Sequence, residues 1–270
     1  MKSNKWKFLL TGAATLTLLT ACTQASSQSA TKSNTAQTTA TSTSKNKTNN
    51  SNYFTDKDKD SSYDESKAST VKLSGSSASV SGDGVAVSGS TVTISKAGTY
   101  VISGESDGVQ IKVEAGDSDD VHIVLKGVTM TNTNAPISAT KAGHVYLTLA
   151  EGTTNTLSDS SSNNDEDADA VIFSKGDLTI NGSGTLNIDA KKNNGIKAND
   201  TLHITGGTYK ITAVGDAFNV NDELNITGTT MTIDADEDAV KVDNDEDTSV
   251  GTMYLSDNKM TITAGDDGIH

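Results

Sequence analysis

From residue 71 onward, apolar and polar side chains alternate in short runs, the period-two pattern of half-buried strands. Three such runs recur as a group, for instance AFNV, ELNIT and TMTID, separated by polar turns. NNGIKANDTLHITGGTYKITA begins at Asn193, GDAFNVNDELNITGTTMTIDA at Gly215, EDAVKV at Glu237 and GDDGIH at Gly265. Aligned on the first apolar strand residue, the register runs Val171, Ile196, Phe218, Val240, Ile269, with spacings of 25, 22, 22 and 29. The last interval carries an extra segment, DNDEDTSV. A repeat of this length is the signature of a solenoid. At about 3.3 Å per residue, 22 residues make about 73 Å of extended chain, the perimeter of one three-stranded coil.

The expected fold is therefore all-β, a single-stranded parallel β-helix of about 22 residues per coil. Alternation turns Ile196 and Ala198, Phe218 and Val220, and Val240 and Val242 inward on the first strand. Leu202/Ile204 and Leu224/Ile226 do the same on the second strand, and Tyr209/Ile211 and Met231/Ile233 on the third. A β-sandwich would not require matching strands at a fixed spacing.

The repeat gives meaning to the acids. Eight of the fourteen residues from Asp234 to Asp247 are acidic, around the strand AVKV. Asp169, Asp216, Asp238 and Asp267 precede the first strand of successive coils, and Asp200, Asp222 and Asp243 follow it. Equivalent residues of stacked coils lie about 4.8 Å apart, so such columns repel themselves unless something offsets the charge. Calcium, a hard cation taking several carboxylate and carbonyl oxygens, would do so. The candidate ligands are Asp216, Asp236, Asp238, Asp243, Asp266 and Asp267; the alternative is that these are solvated turn residues. An EF-hand is excluded, because Ala239 replaces the required glycine and Asp245 the closing glutamate.

The N-terminus is a targeting signal. Lys2, Lys5 and Lys7 precede the short apolar run FLLTGAATLTLL, which ends at Leu19-Thr20-Ala21-Cys22 and resembles a lipobox. Cys22 is the sole cysteine and the expected lipidation site, giving a membrane-anchored protein on the extracellular face. Residues 1–21 would be the signal peptide, 22–70 a disordered Ser/Thr/Asn-rich tether and 71–270 the β-helix domain. Cleavage before Cys22 leaves 18 lysines against 35 acids, a charge of −17 that repels nucleic acid and attracts cations.

Between the inward pairs of the first strand, Lys197, Asn219, Lys241 and His270 form an outward stripe beside the acids. Lys197, Asn219 and Lys241 are candidate carbohydrate contacts, since lysine pairs with a sugar carboxylate; the alternative is that they keep the strand soluble. Tyr254 is the best aromatic for stacking on a sugar ring. The four histidines lack metal-ligand spacing, and neither a P-loop nor GxGxxG is present. A lyase would need arginine or a lysine of lowered pKa as base; the chain has no arginine, and acidic surroundings raise a lysine.

The segments AGTYVISG at 97–104, HIVLKGVTM at 122–130, LAEGTTNTL at 149–157, and the run from DAVIFSKGDLTINGSGTLNI through GDAFNVND to GDDGIH resemble the bacterial β-helix carbohydrate-binding proteins. That family is typified by a clostridial cellulose- and acid-sugar-binding protein. The resemblance implies a right-handed, pectate-lyase-like β-helix, calcium in the acidic turns and glycan binding without established catalysis. By position, Asp216, Asp238, Asp266 and Asp267 would carry the metal. Family members continue for further coils, so a C-terminally truncated chain is expected. The expectation is a monomeric, non-enzymatic surface lipoprotein that binds cellulose or a polyuronate such as polygalacturonate. A polysaccharide lyase or hydrolase on the same scaffold, or an adhesin or spacer for a protein partner, are the alternatives.

Overall fold

The protein is described by a computed structural model, which covers residues 36–41, 52–244 and 246–270. Cys22 and the signal segment lie outside the described residues.

The strands return to the same sheet at every third element, which makes three parallel faces. The first face stacks Gln110–Glu114, Ile137–Lys141, Ala170–Ser174, Asn194–Ala198, Phe218–Val220 and Val240–Val242. The second stacks His144–Leu149, Leu178–Gly182, Thr201–Thr205, Glu223–Thr227 and Thr252–Ser256. The third stacks Thr154–Ser158, Thr185–Ala190, Thr208–Ala213, Thr230–Ala235 and Lys259–Ala264. The long strand Asp120–Thr131 pairs with both of the last two faces and joins them into one sheet. This is a β-helix-like architecture. At its start, Ser69–Gly75 and Ser77–Ser81, then Val85–Ser88 and Thr91–Ile94, pair antiparallel.

The inward residues pair as alternation requires. Ile196 stands on Phe218 and Phe218 on Val240; Leu202 stands on Leu224, and Tyr209 on Met231. All are buried in one continuous core that runs the length of the stack. Corners need special residues. Gly182 has φ +94°, and a Cβ there would sit 2.3 Å from the carbonyl oxygen of Leu149, so only glycine fits without displacement.

Two sequence expectations need correction. Ile172, not Val171, pairs with Ile196. Every residue of Ala170–Ser174 is buried, and the outward Phe173 packs on Ala135 and Ala168. With both faces apolar, alternation carries no information about register. Second, the end of the stretch assigned to the tether is ordered. Residues 53–60 form a strap that lies across the second face and includes the one-turn helix Asp56–Lys59, capped by Thr55. Buried Phe54, edge-on to His203 and Tyr254, and hydrogen bonding by the strap backbone and Asp58 hold it down.

Candidate functional site

The acidic column before the first face offsets its own charge. Asn194 Oδ1 accepts the amide of Asp216 at 3.0 Å, Asp216 Oδ1 that of Asp238 at 3.0 Å, and Asp238 Oδ1 that of Asp267 at 2.8 Å. Each side chain thus reaches one coil along, and the bonds run from backbone N–H groups to side-chain oxygens of the neighbouring coil. Side chains supply the rest. Asn219 Nδ2 donates to Asp216 Oδ2 at 2.6 Å, and Lys197 Nζ donates to Asp169 Oδ1 at 2.7 Å. Asp216 and Asp238 are consequently buried, at 3% and 5% exposure. Asn194 belongs to this ladder although the sequence reading omitted it; its 22-residue distance from Asp216 was the available signal.

The outer end of the column is less satisfied. Asp238, Asp267 and His270 bring ligand atoms within 4.8 Å of one another. His270 Nδ1 is 3.5 Å from Asp238 Oδ2 and 3.4 Å from Asp267 Oδ2. The other expected ligands stand outside this cluster: Asp236 and Asp266 are exposed in the adjoining turns, and Asp243 is exposed beyond the far end of Val240–Val242. Asp216 has both oxygens engaged and less to offer a cation.

The expected sugar contacts divide between two faces. Lys197, Asn219 and Lys241 pair side by side on the first face. Lys197 and Asn219 are held by the acids described above, whereas Lys241 makes no ion pair with any described residue. Tyr254 belongs to the second face, opposite Asn225.

There the registers assemble a column that was not legible as a unit. Outward residues of successive coils run His122, Tyr146, Thr179, His203, Asn225, Tyr254. A parallel row runs Thr148, Asn181, Thr205, Thr227, Ser256. Histidines that look scattered in the sequence therefore share a face, with imidazole, hydroxyl, amide and aromatic groups at the coil spacing of about 4.8 Å. Imidazole bonds link the coils: His122 Nε2 is 2.8 Å from Thr148 Oγ1, and His144 Nε2 is 2.9 Å from Thr179 Oγ1. Burial lowers the pKa of both His122 and His144, leaving neutral rings at neutral pH. Burial, with Asp120 and Asp58 nearby, pushes the Tyr146 phenol up to about 12.

The strap covers the middle and C-terminal part of this column. Asp58, only 2% exposed, accepts the Thr179 hydroxyl at 2.6 Å. Its other carboxylate oxygen lies 3.2 Å from His203 Nδ1. Asn181 Nδ2 donates to the carbonyls of Asp58 and Asp60, Thr205 Oγ1 to that of Asp58, and Asn225 Nδ2 to that of Tyr53. Tyr53 stacks on Tyr254, ring centroids 3.7 Å apart and 7° from parallel. Beside the strap an open pocket of about 250 Å³ remains, lined by the strap's Lys57 and Asp60 and by Thr99, Asp120, His122 and Tyr146. Lys57 pairs with Asp120 and sits over the Tyr146 ring.

Burial alone would lower the His203 pKa, but the Asp58 carboxylate, with Glu223 beside it, outweighs this and raises it. Burial alone would raise Asp58, yet His203, Thr179 and Thr55 hold it well below the usual carboxylate range. The raised imidazole contributes docking stability fully below its unfolded value of about 6.5, and loses it as pH climbs through the folded value. The depressed carboxyl contributes above its unfolded value of about 3.9, and loses it as pH falls through the folded value. Strap docking should therefore be strongest in mildly acidic solution. An imidazole NMR titration should give His203 a midpoint above 6.5 that drops in Asp58→Asn; an unshifted midpoint would remove the pair.

A family model described as carbohydrate-binding domain-containing protein matches residues 88–270, more than half of the chain. A protein of the same description from Acetivibrio thermocellus is 40% identical over 126 residues, 44% of either chain, so the match spans less than half of that relative's length. The solved structure of a polysaccharide lyase-like protein from C. thermocellum, a gadolinium derivative, is similar with a TM-score of 0.70 and 29% identity, covering 75% of this chain and 93% of that one. With this match, on this coiled all-β scaffold, the chain belongs to the carbohydrate-binding domain-containing protein family.

Proposed function

We propose that this protein binds polysaccharide at the cell surface without cleaving it, as a lipoprotein anchored through Cys22 with a right-handed β-helix of about 22 residues per coil. The observation that carries the reading is the outer column of the second face. Hydroxyl, amide, imidazole and aromatic side chains recur there at coil spacing, which suits a polymer whose own sugar units recur. Signal, lipobox and single cysteine support the anchor, and a monomer is sufficient for it. Cellulose and polygalacturonate are the ligands to test first.

Calcium belongs to this proposal as a stabiliser at the outer end of the acidic column, through Asp238 and Asp267 with Asp266 and Asp236 in the same turns. Among the described residues no backbone amide donates to Asp238 Oδ2 or the Asp267 carboxylate, which leaves oxygens for a hard cation. The nitrogen of His270 is a poorer calcium donor and would have to turn aside. Bound at one hundred times its Kd, calcium would add about 2.7 kcal/mol.

One set of observations favours a lyase as the second reading: the solved relative is called polysaccharide lyase-like, and His122 and His144 are neutral near an open pocket. Binding is preferred because the chain has no arginine and the Tyr146 phenol stays protonated at neutral pH.

Retention in native gels cast with polygalacturonate or soluble cellulose derivative tests the proposal. The expected result is retardation that chelator weakens, with a melting temperature that calcium raises and sodium of equal ionic strength does not. Asp238→Asn with Asp267→Asn should remove that rise. Mobility unchanged in every glycan would sink the binding reading, and a calcium response intact in the double variant would move the ion elsewhere.

A further inference from the structure

The strap raises a question of chemistry. Thr179 and Asn225 point outward from the second face yet are 0% and 1% exposed, because residues 53–60 cover them. Outward polar groups of a β-helix are ordinarily left to water. Here each is met by an acceptor, and the acceptors are a carboxylate and a series of carbonyl oxygens.

We propose that the outer column of the second face is a cleft for an acidic sugar chain, and that residues 53–60 occupy it as a built-in stand-in for that ligand. The inference rests on the carbohydrate-binding reading, takes from it the column and the acidic ligand, and adds the occupant. The Asp58 carboxylate stands where a uronate carboxylate would be held, between the Thr179 hydroxyl at 2.6 Å and His203 Nδ1 at 3.2 Å. The Tyr53 ring lies flat on Tyr254 as the face of a pyranose would, the use sequence reasoning gave to Tyr254. The carbonyls of Tyr53, Asp58 and Asp60 accept from Asn225, Thr205 and Asn181, as sugar oxygens would.

Direction and spacing agree. Tyr53 sits at the coils of Asn225 and Tyr254, Asp58 at those of Thr179 and His203, and Asp60 at Asn181, so the strap crosses the strands and runs along the coil axis. Successive coils are about 4.8 Å apart, close to the length of one sugar unit. The pocket of about 250 Å³ at Lys57, Asp120, His122 and Tyr146 continues the same column where only the strap's Lys57 and Asp60 reach over it, giving a chain a place to enter before the strap is displaced.

A cleft open only a fraction of the time binds more weakly by that fraction. The test uses the full chain with Tyr53→Ala and Asp58→Asn together, titrated by calorimetry with a galacturonate oligomer and, as a neutral control, a cello-oligomer. Amide exchange at 53–60 reports release of the strap. The expected result is fast exchange with about a tenfold gain in affinity for the acidic oligomer and none for the neutral one. Adding Tyr254→Ala should cancel the gain. Should the double variant not fold, the isosteric Asp58→Asn alone should give a gain of several-fold, since it keeps the side-chain shape and removes the charge facing His203. A released strap with unchanged affinity for the acidic oligomer overturns the inference, and wild-type gel retention would then show that the carbohydrate-binding reading still stands. A gain that survives Tyr254→Ala also overturns it, by placing the sugar elsewhere.

Discussion

Phe218→Ala should lower the unfolding free energy by about 3–5 kcal/mol, the usual cost of emptying a buried aromatic position. Phe218 is 0% exposed and stands between Ile196 and Val240 in successive coils of the first face. Neighbouring coils are fixed by their backbone ladders, so they cannot close in, and the cavity remains. Urea unfolding should move to a lower midpoint with an unchanged slope. A loss under about 1 kcal/mol would mean that the coil relaxes into the space and the stack is not a rigid core.

Asn155→Leu should cost about as much, roughly 3–5 kcal/mol, although it adds an apolar group to the interior. Asn155 is 0% exposed at a corner of the third face. Its Oδ1 accepts the amides of Gly127 and Val128, both at 3.0 Å, and its Nδ2 donates to the Thr185 carbonyl at 3.2 Å. One side chain thus satisfies backbone groups of the coils on either side, and leucine would leave them buried without partners, at about 1–3 kcal/mol each. Asn187→Leu, at a half-buried site on the same face, should stay within about 0.5 kcal/mol. Equal, small losses for the two would show that the Asn155 bonds are replaced by water.

The coil was legible because its core is written in period two and repeated at fixed spacing: Ile196, Phe218 and Val240 could be aligned without any coordinates. Register failed only at Val171, where the outward Phe173 is as apolar as the inward positions. The acids were legible as a column, but not their partners. A carboxylate that accepts the amide of the next coil, as Asp216 and Asp238 do, has the same letter as one exposed to solvent. The strap was hidden for a different reason. Its bonds join Asp58 to Thr179 and Tyr53 to Asn225, residues more than one hundred positions apart, and only the aromatics Tyr53 and Phe54 and the aspartates that follow set it apart from the Ser/Thr/Asn run before it. Tyr254 was singled out as a stacking residue, yet its neighbour Tyr53 could be named only once the second face was assembled.

Calorimetric titration of the full chain with polygalacturonate in the presence of calcium, followed by ultraviolet assay of the recovered polymer for unsaturated uronide ends, addresses the central claim most directly. Saturable binding that chelator weakens, with the polymer recovered at its original length, is the predicted result. Absence of binding to polygalacturonate and to cellulose alike would contradict the carbohydrate-binding role, and unsaturated ends accumulating with time would make the protein a lyase.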